Sequence, residues 1–421
     1  MSDQKSAVLP ADQGGTAFHA RAALVVHRWI WAGCAVAIVL LTTALLSALL
    51  GEALLSGARL SVGHTAALLG GGDLTVQPES FRPGGSGIPL ILETGAVFSN
   101  PALMRVPGRV AARAEVRVEA SSAVGAQAVD MIGIESPRDP QAELLARTVV
   151  AGEWLSAEQP GEPKLHQIVL GRDLSERLSL RLGAPVRVRS GAGHGLRSWT
   201  GKVVGILRTG LPELDGGRMW TGYSSAQELL QVPPSQVAEA STRIAIYLDR
   251  PADVHEWLAA IKKLSLPEGT EVLTWRQANP GAVPAAPWQR LQRKADAGAF
   301  ALLAAVGIAC GVLMAFAVRG IIGGGLLVFM AVPPVMSAGL ALLAYLCVSR
   351  VVNVSPIPPS PLFEMIGTGL NPFGSMVAGI GLHLRPIMLV ELILVLAGAY
   401  AVGIVLVWRY FRAARDSKAV S

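Results

Sequence analysis

Long uncharged stretches occur in two parts of this chain of 421 residues, once near the N-terminus and repeatedly in the last third. The first stretch, Trp29–Leu50, contains no charged residue, and about 20 apolar residues in an α-helix are enough to cross a hydrocarbon core. Ala297–Val318 and Pro386–Trp408 have similar lengths, and the uncharged run Gly320–Ser349 is long enough for a further span. The pattern predicts four transmembrane helices, with a long polar insertion between the first and the second.

A cleavable signal peptide is the alternative interpretation of Trp29–Leu50. Arg21, His27 and Arg28 resemble the basic start of such a peptide, and the Ala/Ser-rich end resembles a cleavage site. The apolar stretch is, however, longer than the roughly 7–15 residues of a signal-peptide core. We therefore interpret it as a retained transmembrane helix.

Basic residues near both ends of the chain indicate its orientation. Arg21 and Arg28 precede the first span, and a basic cluster follows the last one: Arg409, Arg412, Arg415 and Lys418. Because cytoplasmic flanks carry an excess of Lys and Arg, both termini are predicted to be cytoplasmic. The basic group Arg290–Lys294 before the second span opposes this orientation, but long domains translocate largely regardless of their charge.

Composition adds two constraints. The formal net charge of +6 is modest and partly flanks the membrane, so it does not indicate a nucleic-acid partner. Cys34, Cys310 and Cys347 all lie in the spans, which leaves the insertion without cysteine. An insertion of this length can bury a core without disulfides, so the cysteine usage is compatible with an oxidising periplasm.

The insertion, from about Leu54 to Arg290, alternates short β-branched runs with amphipathic stretches. The predicted strands are 116–120, 167–171, 185–190, 201–207 and 243–248, and the predicted helices are 143–157, 173–182, 224–232 and 254–264. This composition indicates an α+β domain in two small lobes, which the Pro/Glu-rich segment 158–164 separates.

Residue constellations typical of catalysis or metal binding are absent from the sequence. His64, His166, His194 and His255 are scattered without ligand spacing, as is typical of solvated or core histidines. The carboxylates of Glu213 and Asp215 lie in a Pro/Gly-flanked turn, where a polar turn is favoured over an acid–base pair. The segment GAGHG at 191–195 has predicted strands on both sides, which favours a hairpin tip over a phosphate loop. We therefore predict no catalytic, cofactor or metal site in this chain.

Several phrases follow one another in an order that resembles a known family. They are GGDLTVQ at 71–77, MIGIESPRD at 131–139, GEWL at 152–155, IVLGRDLSERLSLRLGAPVRV at 168–188, VVGILRTGLPELDGGRMW at 203–220, SAQELLQVP at 225–233 and LPEGTEVLTWR at 266–276. With one span before them and three after, the chain resembles the FtsX/MacB-type permeases of ABC transporters. It is most similar to the lipoprotein-releasing transmembrane subunits of Gram-negative inner membranes.

The resemblance implies a periplasmic α+β domain inserted in a four-helix transmembrane domain. The expected divisions are a cytoplasmic segment 1–28, a first helix 29–53, a MacB-like periplasmic core 54–290, helices two to four in 291–412 and a cytoplasmic tail 413–421. In this family a cytoplasmic ABC ATPase dimer holds ATP and Mg, the permease helices tilt, and the periplasmic domains move. The implied partners are that ATPase, a second identical or different permease subunit, the bilayer, and a lipoprotein or another lipidic substrate.

The chain departs from the family in two segments. A charged coupling helix normally joins helices two and three and docks into the ATPase, but here Arg319 is followed by glycine and apolar residues. A proline-bearing hook that would bind a periplasmic chaperone is replaced by the short segment 191–199. Arg319 is therefore the candidate coupling position, and chaperone binding is not expected.

Candidate positions inside the membrane are few. Gly307 and Gly311 in the second span, and Ala399 and Gly403 in the fourth, have the small-residue spacing of close helix packing, although ordinary Gly/Ala composition explains it equally. Glu391 lies one to two turns inside the fourth span, where a carboxylate is either functional or snorkels to the interface. The apolar loop 353–385, with Glu364 and Arg385, is predicted at the outer interface, and a re-entrant segment is its alternative.

Two function classes follow from these features. The first is a permease-like subunit that transmits the motion of an ATPase to a periplasmic domain. The second is a non-transporting scaffold or regulator that has the same fold without direct ATPase coupling. A membrane-anchored enzyme is disfavoured, because no catalytic constellation is found.

Thiol labelling tests the predicted orientation. In a background without the native cysteines, we expect Ser190→Cys to react with an impermeant reagent on intact spheroplasts and Ser417→Cys to react only after lysis. Equal labelling of the two positions before lysis would contradict an exported insertion.

Overall fold

The computed structural model describes residues 13–81, 90–101, 103–136, 138–156, 166–191, 196–230, 240–250, 253–263, 266–280, 282–283, 285–318 and 325–420. Its helices are α1 Gln13–Gly70, α2 Thr94–Phe98, α3 Pro140–Ala146, α4 Arg172–Arg177, α5 Pro212–Gly217, α6 Tyr223–Gln227, α7 Val254–Lys262, α8 Trp275–Ala278, α9 Ala285–Val318, α10 Gly325–Val354, α11 Pro359–Ile366 and α12 Pro386–Val420. Its strands are β1 Leu74–Pro78, β2 Gly108–Ser121, β3 Ala126–Ile134, β4 Val149–Gly152, β5 Gln167–Gly171, β6 Pro185–Ser190, β7 Arg197–Leu207, β8 Arg218–Gly222, β9 Arg243–Leu248 and β10 Thr270–Thr274.

Within these described ranges, four helices are long and apolar enough to cross a membrane. Their candidate spans are Ile30–Gly70, Ala285–Ala317, Met330–Val354 and Pro386–Ala413. One of them precedes the α+β domain and three follow it, so the fold class predicted from the sequence is confirmed.

The chain divides into two compact units. One comprises Met1–Ala58, Gln289–Ile357 and Ile380–Ser421 and holds most residues of the candidate spans, so we call it the membrane unit. The other comprises Arg59–Trp288 and Pro358–Gly379, and we call it the exported unit after the prediction that the insertion is translocated. The exported unit thus includes a part of the loop between the third and fourth spans, in addition to the central insertion.

The membrane unit is held by apolar side chains of its four long helices, among them Leu41, Leu45, Leu303, Leu392 and Leu396. Helix α10 carries a proline pair, Pro333 and Pro334, in its interior. Proline removes a backbone donor and bends a helix at that point.

The exported unit is built on one mixed sheet. The ten strands of the described residues run in the order β10-β1-β9-β2-β3-β8-β5-β7-β4, and β6 pairs with β2 and β7. Strand β9 is buried along its whole length because it lies between β1 and β2. Two apolar clusters cover the sheet, one containing Met131, Ile168 and Leu174 and the other containing Leu74 and Val272.

The five predicted strands are confirmed, and so is the hairpin of β6 and β7, whose tip at 192–195 lies outside the described residues. The helix predicted at 143–157 is wrong in its second half, where β4 forms instead. The β-branched run Thr148–Val150 favours a strand, and β4 pairs with β7. The helix predicted at 173–182 ends at Arg177, because Ser179 adopts a left-handed conformation with φ 49°.

Ser190, at the end of β6, is 2% exposed, and its hydroxyl donates to the Leu229 carbonyl at 2.6 Å. A cysteine there would be shielded from a labelling reagent. Ser156 is exposed and is the better position for the orientation experiment.

A fully buried ion pair joins strand β2 to helix α3. The Arg113 guanidinium donates two hydrogen bonds to the Asp139 carboxylate, at 2.7 and 3.0 Å, and the exposed fractions of the two side chains are 1% and 0%. The Tyr247 hydroxyl donates to Asp139 at 2.7 Å, and the backbone N–H of Gln141 donates to it at 2.9 Å. Burial alone lowers the pKa of Arg113, but the attraction of Asp139 and Tyr247 is larger in sum and raises it, so Arg113 stays charged.

We expect Asp139→Asn to destabilise the exported unit by about 3–5 kcal/mol, because it leaves a buried guanidinium without its counter-charge. The matched control is Glu143→Gln in the neighbouring pair with Arg109, which joins the same two elements with both side chains half exposed. An exposed pair contributes about 0–1 kcal/mol. Thermal unfolding of the full chain in detergent measures both effects, and similar losses would contradict this account.

Candidate functional site

The small residues predicted in two spans lie opposite each other in the membrane unit. A Cβ atom on Gly307 would come within 2.9 Å of the Ala399 Cβ. A Cβ atom on Gly311 would overlap the carbonyl oxygen of Tyr400, and one on Gly403 would overlap a carbonyl of α9. Helices α9 and α12 therefore pack backbone against backbone at this level, and glycine is required at both crossing positions.

Of the two predicted polar positions, the structure describes only Glu391. Arg319 lies outside the described residues. Glu391 is exposed on α12, and it has no hydrogen bond or ion pair with any other residue in the described part of the chain. The role expected of each of them stays a prediction.

A charged cluster that the sequence analysis did not single out lies at one end of the membrane helices. Glu52 of α1 has a side chain only 3% exposed. Arg385, which directly precedes α12, donates to its Oε1 from Nε at 2.7 Å, and the Arg385 Nη2 forms an ion pair with the same oxygen at 2.5 Å. Gln292 of α9 donates to its Oε2 at 2.5 Å, and the Ser56 hydroxyl donates to Oε1 at 3.1 Å. The Glu52 carboxylate thus connects three membrane helices.

Asp296 completes this cluster. Its carboxylate accepts from Gln292 at 2.9 Å and lies 3.8 Å from the Arg385 guanidinium. Two carboxylates share one guanidinium, so the cluster carries a formal excess of one negative charge. Glu52 follows the first uncharged run by two residues, while Asp296 and Arg385 directly precede later spans. This common position at span ends was the signal that could have predicted the cluster.

The cost of breaking this cluster should depend on which side chain is removed. Arg385→Met leaves buried Glu52 without its counter-charge, which costs about 3–5 kcal/mol for a buried pair. Glu52→Leu should cost less, because Arg385 is 44% exposed and can be hydrated. Melting temperatures of the full chain in detergent should fall most for Arg385→Met, and the double variant should melt near Glu52→Leu. Equal effects of the two single variants would contradict a buried-charge origin.

In the exported unit, side chains from three other elements bind the last carbonyl groups of α1. Gln141 donates to the Leu69 carbonyl at 3.1 Å. Arg243 and Asn279 both donate to the Gly70 carbonyl, at 3.0 and 2.9 Å. The last carbonyls of a helix have no partner within it, and these three donors supply one from α3, β9 and the residue after α8.

The chain then turns from α1 directly into the sheet. Gly71 and Gly72 have φ angles of 101° and 96°, which favour glycine, and they lead into β1. Asp73 accepts the backbone N–H of Leu248 at 2.9 Å, and its own carbonyl accepts the N–H of Trp275 at 3.0 Å. Burial raises the pKa of Asp73, and burial is also the main cause that lowers the pKa of Arg243. The end of α1 is thus bonded to β1 and β9, the second and third strands from the β10 edge of the sheet.

A Ser–His–Glu arrangement occurs in the same unit. His166 Nδ1 lies 3.1 Å from the Ser225 hydroxyl and Nε2 lies 3.7 Å from the Glu228 carboxylate, while the ring stacks on Trp199 at 4.4 Å. Ser225 is only 2% exposed, so a substrate cannot reach its hydroxyl. The arrangement packs the β6–β7 hairpin against α6. No group of three or more potential metal ligands occurs in the part of the chain that the structure describes.

Comparison with known proteins finds structural similarity only. No family model matches the sequence. No curated protein matches it either. The structure is similar to the periplasmic region of MacB from Actinobacillus actinomycetemcomitans, with 12% identity over 50% of this chain and 92% of that one and a TM-score of 0.34. It is also similar to the extracellular domain of the noncanonic ABC-type transporter YknZ from Gram-positive bacteria, with 16% identity, 42% and 93% coverage and a TM-score of 0.30. Both TM-scores lie below 0.5, so these likenesses do not decide the function of this chain.

Proposed function

We propose that this chain is a permease-like transmembrane subunit of an ABC transporter, and that it transmits ATPase-driven motion from its membrane spans to its exported unit. The observation that carries the proposal is helix α1. It contains a membrane span, and its last carbonyl groups are bonded to side chains of α3 and β9 and to Asn279. A continuous helix that is fixed at its end transmits a displacement, whereas a flexible linker absorbs it.

In this proposal ATP and Mg are bound by a cytoplasmic ATPase dimer, and a second permease subunit completes the complex in the inner membrane, with both termini in the cytoplasm. The spans are nearly free of charged residues, so they offer little lining for a hydrophilic pore. A substrate with a lipid anchor, as in the lipoprotein-releasing systems, needs moving surfaces and not a polar channel. We therefore favour a lipidic substrate.

A non-transporting scaffold is the second candidate function. The segment 319–325 offers one arginine followed by glycine and apolar residues, where the family that this chain resembles has a charged coupling helix. A subunit of this kind would keep the fold and the second permease partner without contacting an ATPase.

The test uses the complex that the tagged chain forms in its native membrane. We expect an ABC ATPase to co-purify, and ATP with Mg to change amide hydrogen exchange in the exported unit. A seven-residue Gly/Ser insertion after Ala58 in α1 should abolish this change, because a flexible segment does not transmit displacement. A seven-residue Ala-rich insertion, about two helical turns, should preserve it. A complex without any ATPase would favour the scaffold, and equal behaviour of the two insertions would exclude transmission through α1.

Arg319→Ala tests whether the predicted cytoplasmic segment 319–325 holds the ATPase. A single surface ion pair contributes about 0–1 kcal/mol, so the recovery of the ATPase should be nearly unchanged. Deleting the coupling helix of the partner permease should abolish it. If Arg319→Ala alone releases the ATPase, the segment 319–325 is itself the coupling element.

A further inference from the structure

An open cavity of about 430 Å³ lies in the exported unit, where strands β2, β3 and β8 meet the short helices α4 and α5. Half of its ten lining residues are charged. These are three arginines and two acids: Arg117, Arg177, Arg218, Asp130 and Glu213. The functions described above do not use this cavity.

Three of these charged residues form a row across neighbouring strands. Asp130 of β3 is the backbone partner of Arg117 on β2 and of Arg218 on β8. Its carboxylate accepts a hydrogen bond from the Arg117 guanidinium at 2.7 Å. The Arg218 side chain forms no hydrogen bond or ion pair with any other residue in the ranges that the structure describes. One carboxylate thus lies between two arginines in the register and pairs with only one of them.

Arg177, at the end of α4, brings a further guanidinium group to the cavity. Its Nη2 donates to the Gly216 carbonyl, and its Nε donates to the Asp173 carbonyl at 3.2 Å. Both acceptors are uncharged, and no carboxylate of the described residues forms an ion pair with Arg177. Because a guanidinium group has five N–H donors, this one is held in place and still has donors for a ligand.

The charges around Arg218 favour the binding of an anion. Burial is the main cause that lowers the pKa of Arg243, and the positive charges of Arg113 and Arg218 lower it further. Arg218 is therefore close enough to a buried arginine to be repelled by it. Glu213, the second acid of the lining, is exposed and forms no ion pair within the described part of the chain. The lining as a whole carries one positive charge in excess.

We propose that this cavity is a docking site for an acidic segment of a partner protein, whose carboxylate side chains bind Arg177 and Arg218. Guanidinium groups bind carboxylates through paired, charge-assisted hydrogen bonds. Small-molecule sites are mostly apolar with few polar groups, whereas half of this lining is charged. The volume of about 430 Å³ equals that of roughly fourteen water molecules, which leaves room for several side chains. This docking does not depend on an ATPase and would hold equally for a scaffold.

The test measures peptide binding to the full chain in detergent by fluorescence anisotropy. The probes are rhodamine-labelled Gly-Glu-Asp-Glu-Gly and its amide counterpart Gly-Gln-Asn-Gln-Gly. We expect the acidic peptide to bind about tenfold more tightly, because hydrogen bonds between charged groups are the strong ones, and Arg218→Gln to lose this preference. The matched control is Arg172→Gln, which removes an exposed arginine of α4 that does not line the cavity. The control should bind like the parent chain.

Glu213→Gln separates an effect on binding from an effect on folding. It removes a competing carboxylate from the lining, so the acidic peptide should bind about twofold more tightly or better, a gain that a misfolded chain cannot give. Equal affinities of Arg218→Gln and Arg172→Gln would overturn the proposal, and so would equal binding of the two peptides or a loss of affinity in Glu213→Gln. Succinate that competes at the concentration at which the peptide itself binds would show a site for a small anion and would exclude docking of a protein segment.

Discussion

The last carbonyl groups of α1 have no hydrogen-bond donor within the helix. Because this helix end is buried in the exported unit, water cannot supply the donors and other protein groups must. This constraint explains why β9, an otherwise apolar strand, begins with Arg243. The buried guanidinium donates to Gly70 and in turn requires a counter-charge, which Glu115 provides at 3.2 Å. The two glycines after the helix and the buried Asp73 then carry the chain into β1. A set of polar residues in the core thus follows from the burial of one helix end.

Two ionic clusters have different roles in the two units. Arg113 and Asp139 are both fully buried and carry one positive and one negative charge, so their charges cancel inside the exported unit. The cluster around Glu52 is partly exposed and carries one unmatched negative charge, and it connects the ends of three membrane helices. Because a buried charge is costly without its partner, both clusters stabilise one arrangement of their elements over alternatives that separate the pairs.

The sequence predicts well those features that depend on local composition. The membrane spans follow from uncharged runs, because a helix satisfies all backbone polar groups inside a bilayer. Strand β6 follows from the alternation of Val186, Val188 and Ser190 with exposed neighbours. Strand β4 was predicted as part of a helix, because its short β-branched run is outweighed by the amphipathic stretch before it and only pairing with β7, distant in sequence, decides between the two.

The candidate sites were harder to predict for the same reason. The bonds of Glu52 to Gln292 and Arg385 cross 240 and 333 residues, so the position of these residues at span ends indicates a shared depth but does not fix the pairing. The capping of α1 by Gln141, Arg243 and Asn279 is equally remote along the chain. By contrast, the small-residue spacing in α9 and α12 is local, and the structure places those residues opposite each other.

The backbone contact between Gly311 and Gly403 restricts how the membrane unit can rearrange. No side chain separates the two helices there, so sliding one along the other would drive the next residues of each helix into the backbone of its neighbour. Helices α9 and α12 therefore resist sliding along each other at this crossing, so a rearrangement of the membrane unit would involve α1 and α10 more readily. Helix α10 contains the proline pair Pro333–Pro334 nearer its N-terminal end, where the missing backbone donors leave a bend that can change more readily than an unbroken helix.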